Sequence, residues 1–331
     1  MNMTIGVDVG NFDTKSKNTN TVSGYTMYNN EQLLTDKVLA YNGKYYIESQ
    51  DNRFPYVEDK TNNDQCLILT LFSIAKEIMW RIENEKHLKG NYQTEISNIN
   101  GINLAIGLPP GHFNALAKPT QAYYNKVMGN GVEFTYAGFK FAFKLARSVE
   151  VYAQDMSPVI MDMSLEVNKL DENGERMIPK FYIIGIGGYT VDIIPIKNGQ
   201  PAVDECGSVH LGTRRMFETI ITRMQSSAGI TLEEADVENI LRGKRSFVPE
   251  DVKDEVRRNA EIFANQIIDK CIQSGCTLRQ SPVVYVGGGP LLLREYLENN
   301  PKVCSCEFIE DTHANARSYE DYMKMKYKLT A

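Results

Sequence analysis

The sequence predicts an α/β fold in two domains, and three observations predict it. Apolar strand-like runs alternate with amphipathic helix-like segments in both halves. Buried strands end in glycine turns at Gly10, at Gly187 and Gly188, and at Gly287, Gly288 and Gly289. The chain has 331 residues, about two domains at roughly 150 residues each. Its composition, 42% apolar and 24% charged, excludes wholesale disorder. Lys and Arg number 36 against 42 Asp and Glu, a net charge of −6. A mildly acidic chain is not a general polyanion binder.

The elements follow in order. Met3 to Asp8 is an apolar run ending in an acid and then Gly10, a buried strand entering a turn. The polar stretch Asn11 to Asn20 reads as loop. Segments near Thr26, Val38 and Tyr45 alternate like hairpin strands, with Asn42 and Gly43 as a turn pair. Cys66 to Glu85 places Leu67, Leu71, Ile74, Ile78 and Ile82 at helical spacing. Ile102 to Leu108 is a second buried strand, closed by Pro109, Pro110 and Gly111. Phe113 to Met128 reads as helix, and Val132 to Tyr152 as strands turning at Gly138.

The second half opens with a polar loop, Asn168 to Glu175. Phe181 to Ile186 and Val191 to Ile196 are partner strands, with Asn198 and Gly199 as the next turn. Leu211 to Met224 and Pro249 to Ser274 read as helices. Val283 to Val286 is a strand, followed by the glycine triplet and a helix expected to begin at Pro290.

No run of eighteen apolar residues occurs, so no transmembrane helix is expected. The N-terminus lacks a basic segment followed by an apolar one, so no secretory signal is read and a cytoplasmic location is expected. The six cysteines suit reduced thiols. Cys271, Cys276, Cys304 and Cys306 do not have zinc-ribbon spacing. His112, His210 and His313 are scattered and read as structural or exposed. Arg242 to Arg245, Arg257 with Arg258, and the tail Lys324 to Lys328 read as solvated basic faces, though the first two clusters could also contact a ligand.

Chemistry enters with three segments of one layout: apolar strand, glycine, polar turn. They are Ile5 to Asn11, Ile184 to Asp192, and Val283 to Pro290. One such turn ordinarily just ends a strand. Three together, with Asp8, Thr14, Lys15, Thr190 and Asp192 at their ends, point to a polyphosphate clamp built from backbone N–H nests. There is no Walker P-loop motif and no Rossmann glycine fingerprint after the first strand.

These residues carry a resemblance. Asp8 to Lys15 resembles the first phosphate loop of the actin, hexokinase and heat-shock chaperone superfamily, Gly187 to Asp192 its second, and Gly287 to Gly289 its adenosine loop. Gly107-Leu108-Pro109 and Asn315-Ala316-Arg317 resemble the ParM/StbA branch, the bacterial actin-like ATPases that segregate plasmids. The resemblance implies an actin-like ATPase fold: two related domains, each a ribonuclease H-like mixed sheet with flanking helices, around a nucleotide cleft. Residues 1–160 with 308–331 would form domain I, and 161–307 domain II.

The same resemblance implies roles. Asp8 would act in catalysis and hold Mg²⁺ through water. Gly10, Asn11 and Phe12 would present N–H groups to phosphate, with Thr14 and Lys15 beside them and Lys15 neutralising charge. Gly187, Gly188, Tyr189 and Thr190 would grip the phosphates from domain II. Gly287, Gly288 and Gly289 would meet the nucleoside of ATP (or GTP). Gln154 takes the place of the residue that positions the attacking water, with Glu150 as the alternative base; positioning suffices for phosphoryl transfer. The second loop departs from the superfamily pattern, because Gly185 stands where an acid is usual. Asp8 alone, or Asp155, would then serve the metal, or hydrolysis would be slow; Asp192 would support the loop. The implied function is a filament-forming ATPase assembling head to tail with itself. Its partner would be a DNA-binding adaptor on a centromere-like plasmid site, with no direct DNA or membrane contact. A small-molecule kinase on the same scaffold and a slowly hydrolysing static filament are the alternatives.

Overall fold

A computed structural model describes residues 1–31, 35–55, 61, 63–84 and 91–329. Glu85, the expected end of the first long helix, lies outside the described residues. The first part of the chain runs β1 (Asn2–Val9), β2 (Asp13–Lys15), β3 (Asn20–Val22), β4 (Gly24–Tyr28), β5 (Leu39–Tyr41), β6 (Lys44–Arg53), α1 (Asp64–Asn84), α2 (Tyr92–Ser97), β7 (Gly101–Leu108), α3 (Pro110–Met128), β8 (Val132–Tyr136), β9 (Phe139–Leu145), β10 (Glu150–Ala153) and α4 (Met156–Met161). It continues β11 (Lys180–Ile186), β12 (Val191–Lys197), β13 (Gln200–Pro201), β14 (Gly207–Val209), α5 (Thr213–Ala228), α6 (Glu234–Leu241), α7 (Glu250–Gln273), β15 (Val283–Val286), α8 (Gly288–Leu292), α9 (Arg294–Glu298), β16 (Cys306–Phe308) and α10 (Ala314–Tyr327). Among the described residues no helix is long and apolar enough to cross a membrane.

The chain divides into two compact units. Unit 1 is Met1–Pro158 with His313–Ala331, and unit 2 is Val159–Thr312. In unit 1 the central strands lie in the order β3-β2-β1-β7-β10. β1 pairs antiparallel with β2, and β2 with β3. β1 pairs parallel with β7, and β7 with β10. A second set, β9-β8-β5-β6-β4, extends the sheet through the short β7–β9 pair. In unit 2 the order is β13-β12-β11-β15-β16. Here too the first two pairings are antiparallel and the last two parallel. One strand pattern is therefore built twice.

Burial explains the strand composition. β1 and β7 are buried almost throughout, as expected of parallel strands covered on both faces. Leu71, Ile74 and Ile78 of α1 belong to one core with Ile5, Val7, Leu104 and Ile106. Tyr319 and Met323 of α10 form a smaller cluster with Ala105. In unit 2, Val256, Ala260, Ala264 and Ile267 of α7 share a core with Ile184, Ile186, Val283 and Tyr285. Asn42 and Gly43 both have positive φ, 50° and 72°, the backbone that a two-residue hairpin turn needs.

Several expectations are corrected. Asn11 to Asn20 is not loop throughout, because β2 lies in it and β3 starts at its end. The buried side chains there are polar (Thr14, Ser16, Thr21), and they hide the pattern. Helices α2 and α6 were not expected, and α3 begins three residues earlier than Phe113. The last glycine turn is itself helical: α8 begins at Gly288, not Pro290. The tail is not simply solvated, since Lys324 pairs with Glu320 and Lys326 with Glu150.

Candidate functional site

Each unit carries its own candidate phosphate-binding residues. In unit 1 the β1–β2 hairpin holds the first loop, with Asp8 directly across from Lys15 in the ladder. Such cross-strand neighbours project from the same face. The Gly10 carbonyl accepts from Ser23 Oγ at 2.6 Å. The Phe12 carbonyl accepts from the Ser23 N–H at 3.2 Å and from Arg53 Nη1. In a planar trans peptide the N–H opposes the preceding carbonyl. Turning these carbonyls toward Ser23 therefore turns the N–H groups of Asn11 and Asp13 away from it.

Two expected donors differ. The Gly10 N–H is given to the Asp8 carbonyl at 3.0 Å, so Gly10 serves by lacking a side chain. A Cβ there would collide with the Asp13 carbonyl oxygen. Thr14 is fully buried and its hydroxyl lies 3.0 Å from Ser23 Oγ; it braces the turn from within. Arg53, which the sequence did not single out, stacks its guanidinium 3.7 Å above the Phe12 ring.

β10 runs parallel to β7 and delivers Gln154 beside β1. The Gln154 N–H donates to the Leu108 carbonyl at 2.9 Å. Its side-chain Nε2 donates to Asp8 Oδ1 at 2.5 Å. Asn315, in the first turn of α10, completes the cluster. Its Nδ2 donates to Asp8 Oδ2 at 3.2 Å and to Asp155 Oδ1 at 3.0 Å. Its Oδ1 accepts from the Asp155 N–H at 2.8 Å. Asp155 has φ of +61°, a left-handed backbone that short polar side chains tolerate. Burial, then the carboxylates of Asp8 and Asp155, push the nearby Tyr319 hydroxyl well above its ordinary value. Asn315 had carried only the resemblance; no role was read for it. A short amide in the first turn of the last helix was the available signal.

Glu150 is not brought to this cluster. Its carboxylate accepts from Lys326 Nζ and the Tyr327 hydroxyl, which leaves Gln154 as the residue at Asp8. Among the described residues, no group of three or more His, Cys, Asp or Glu could hold a metal directly. Asp8 offers one carboxylate whose oxygens already take amide donors. That donor set fits Mg²⁺ only through the cation's own waters.

Unit 2 carries the second loop on the β11–β12 hairpin. The Gly187 N–H closes the turn onto the Thr190 carbonyl at 2.9 Å, so Gly187 is not a ligand donor. Three loop carbonyls meet the start of α5. Gly187 O accepts from the Thr213 N–H at 3.0 Å, Gly188 O from Arg214 at 2.9 Å, and Tyr189 O from Gly212 at 3.0 Å. By the same peptide geometry, the N–H groups of Gly188, Tyr189 and Thr190 are directed away from α5. Successive N–H groups so aligned form an anion nest. Tyr189 is fixed by a hydrogen bond from Arg214 to its hydroxyl. Gly185 lies directly across from Asp192 in the ladder, so Asp192 stands on the face that an acid at 185 would share. Thr190 Oγ1 donates to Asp192 Oδ2 at 3.4 Å.

The three glycines after β15 separate in role. Gly287 has φ of +104°, a conformation only glycine adopts freely. Gly289 is buried, and a Cβ on it would press into Ile186 and Thr213, so it packs the helix instead of meeting a ligand. Gly288 alone faces open space. Leu291 and Leu292 of the same helix line a cavity of about 610 Å³ with Leu241, Arg242, Lys244 and Tyr296.

Comparisons with known proteins agree with this architecture. Residues 183–299 match the family model of the C-terminal part of the archaeal MreB-like actin homologue. A search of curated protein sequences finds no match. An archaeal actin homologue in complex with ADP superposes with a TM-score of 0.72 at 17% identity, over 97% of this chain and 99% of that one. A 15-stranded ParM filament from Clostridium botulinum gives 0.68 at 17%, over 98% and 100%. Bacillus thuringiensis ParM with ATP gives 0.62 at 13%, over 98% and 99%. The doubled strand pattern, the loops on its hairpins and these similarities together establish that the chain has the actin-like fold.

Proposed function

We propose that this protein is an actin-like ATPase of the ParM type, which assembles into nucleotide-dependent filaments and segregates plasmid DNA. The observation that carries the reading is the seating of Asp8 against Gln154 and Asn315, beside a loop whose Asn11 N–H faces outward. Unit 2 adds the Gly188 to Thr190 nest, and the cavity along α8 offers a place for the nucleoside. Neighbours of the same fold were solved with ADP and with ATP, and one as a filament, which supports both a nucleotide ligand and self-assembly. In this reading the outward amides and Lys15 bind the phosphates. Gln154 would hold the attacking water in line, and Asp8 is the carboxylate that would hold Mg²⁺ through the cation's own waters. Mg²⁺ supplies charge neutralisation on the phosphate oxygens. An adaptor protein would join the filament to DNA, and the setting would be cytoplasmic.

The test is light scattering and phosphate release recorded together after Mg·ATP is added across a protein concentration series. Scattering above a critical concentration that decays as phosphate appears is the expected result. Nucleotide binding without scattering at any concentration overturns the filament reading and favours a small-molecule kinase. A second reading, a static filament that hydrolyses slowly, rests on Gly185. There scattering would rise and persist with little phosphate released.

A further inference from the structure

Phe247 is 90% exposed, although its neighbour Val248 packs against the unit 2 core. It stands on the loop between α6 and α7, and that loop is well tied. The Lys244 N–H donates to the Asn239 carbonyl at 2.8 Å and the Gly243 N–H to Ile240 at 3.1 Å. The Arg245 guanidinium lies 5.1 Å over the Phe247 ring. Residues 242–247 hold Arg242, Lys244 and Arg245 and no acid; Arg242 is taken by Glu238 at 2.7 Å, which leaves Lys244 and Arg245 beside the ring. The result is an outward-facing aromatic knob with a positive collar. A large apolar side chain held outward in this way marks an interaction site more than a chance exposure.

A surface of opposite character lies in the same unit, on residues 162–177. Met163, Leu170 and Met177 are exposed at 63%, 50% and 63%. Leu170 bridges to Arg176, and the Met177 N–H returns to the Lys169 carbonyl at 3.1 Å, so residues 169–177 form a small hairpin after a 3-10 turn at Glu166–Asn168. Residues 162–177 hold five acids (Asp162, Glu166, Asp171, Glu172, Glu175) against Lys169 and Arg176. Both cations are engaged locally, Lys169 with Glu166 and Arg176 with Asn168. The face is acidic and studded with pliable methionines, which accommodate an aromatic ring.

The two surfaces lie at opposite ends of one sheet. The hairpin leads into the start of β11, where the Pro179 carbonyl accepts from the Asn198 N–H at 2.7 Å. The knob's loop shares a cavity with α8, which follows the end of β15. β11 and β15 are parallel, and the seven residues of β11 span roughly 23 Å. Within one chain the two surfaces cannot meet; between two copies they can. We propose that the Phe247 knob of one copy docks on the acidic segment of residues 162–177 of a second copy of this chain. Different surfaces joined copy to copy make a heterologous contact, which repeats into an open filament where its rotation does not close a ring. The inference rests on the assembly reading above and supplies its surfaces.

The test uses full-length variants in the scattering assay, with a fluorescent ATP analogue to follow nucleotide binding. Phe247→Ser should raise the critical concentration about ten- to a hundredfold with unchanged nucleotide binding. Arg245→Glu alone and Glu172→Lys with Glu175→Lys should each impair assembly. An equimolar mixture of these two proteins should assemble again, because at every contact of an alternating polymer position 245 and positions 172 and 175 then carry opposite charges. Wild-type polymer with no change in Phe247→Ser overturns this docking surface and leaves the filament reading intact. Loss in both charge variants with no recovery on mixing overturns the pairing of knob and hairpin. No polymer from the wild type overturns the assembly reading itself.

Discussion

Asp8 takes one amide on each carboxylate oxygen, from Gln154 and from Asn315, and the two amides predict different losses. Gln154→Ala removes the group that would orient water. Phosphate release should fall about a hundredfold, while nucleotide affinity, read by a fluorescent analogue, stays within about threefold. Asn315→Ala leaves Asp8 and Asp155 each short of a donor. It should lower stability by about 1–3 kcal/mol, read as a denaturation midpoint, and slow turnover at saturating nucleotide. Gly288 and Gly289 give a further contrast. Only at Gly288 does an added Cβ meet nothing. Gly288→Ala should fold normally and bind nucleotide more weakly, whereas Gly289→Ala should lower the melting temperature itself. Equal nucleotide affinity in Gly288→Ala and the wild type would remove Gly288 from the site.

At the scale of elements, the turn after β2 is tied to two helices through buried charge. Ser16 Oγ and both nitrogens of Asn18 donate to the Glu77 carboxylate. Arg81 joins Glu77 to Glu320 of α10. Burial pushes the Glu77 carboxyl up, but Arg81 and the donors of Ser16 and Asn18 outweigh it, and the net shift is downward. A carboxyl depressed by folding stabilises the native state above its ordinary value of 4.5. That contribution is lost as pH falls through the lower folded value. The melting temperature should therefore drop below about pH 4.5, and less steeply in Glu77→Gln, which starts lower at neutral pH. The same network shows where sequence reading stops. β1, β7, β11 and β15 were legible because apolar runs between glycine or proline signals have one simple explanation. β2 and β3 were not, because their buried groups are hydroxyls: Thr14 meets Ser23 across the next turn, and Thr21 accepts from Ser73 of α1, remote in sequence. α6 had a readable signal in its capping box, Glu233 with Asp236. The loops were legible as glycine turns. Which N–H groups face outward was not, since that depends on Ser23 and the start of α5 taking the carbonyls.

For the whole molecule, the two units differ in how the chain supplies them. Unit 2 is one continuous stretch, 159–312, with its own core, while unit 1 needs residues from both ends of the chain. Residues 159–312 produced alone should melt cooperatively by circular dichroism. Residues 1–158 alone should not, because Arg81 would lose Glu320 and β1 and β7 would lose α10. Arg81 would keep Glu77, so one carboxylate of two is lost, and the larger loss is the cover of α10 over β1 and β7. Cooperative melting of 1–158 at the full-length temperature would show that α10 is dispensable.

The position of Asn315 also bears on the order of synthesis. A chain is made from its N-terminus, and its domains generally fold as units while it emerges. Asp8 and Gln154 are both present before unit 2 is begun, yet the amide that fixes Asp8 from the other side, and Glu320 for Arg81, arrive only with residues 313–331. A nascent chain that has reached only residue 158 therefore holds Asp8 and Gln154 without the Asn315 brace. Synthesis of residues 313–331, more than the appearance of Asp8 or Gln154, sets the moment at which this cluster takes the geometry described above.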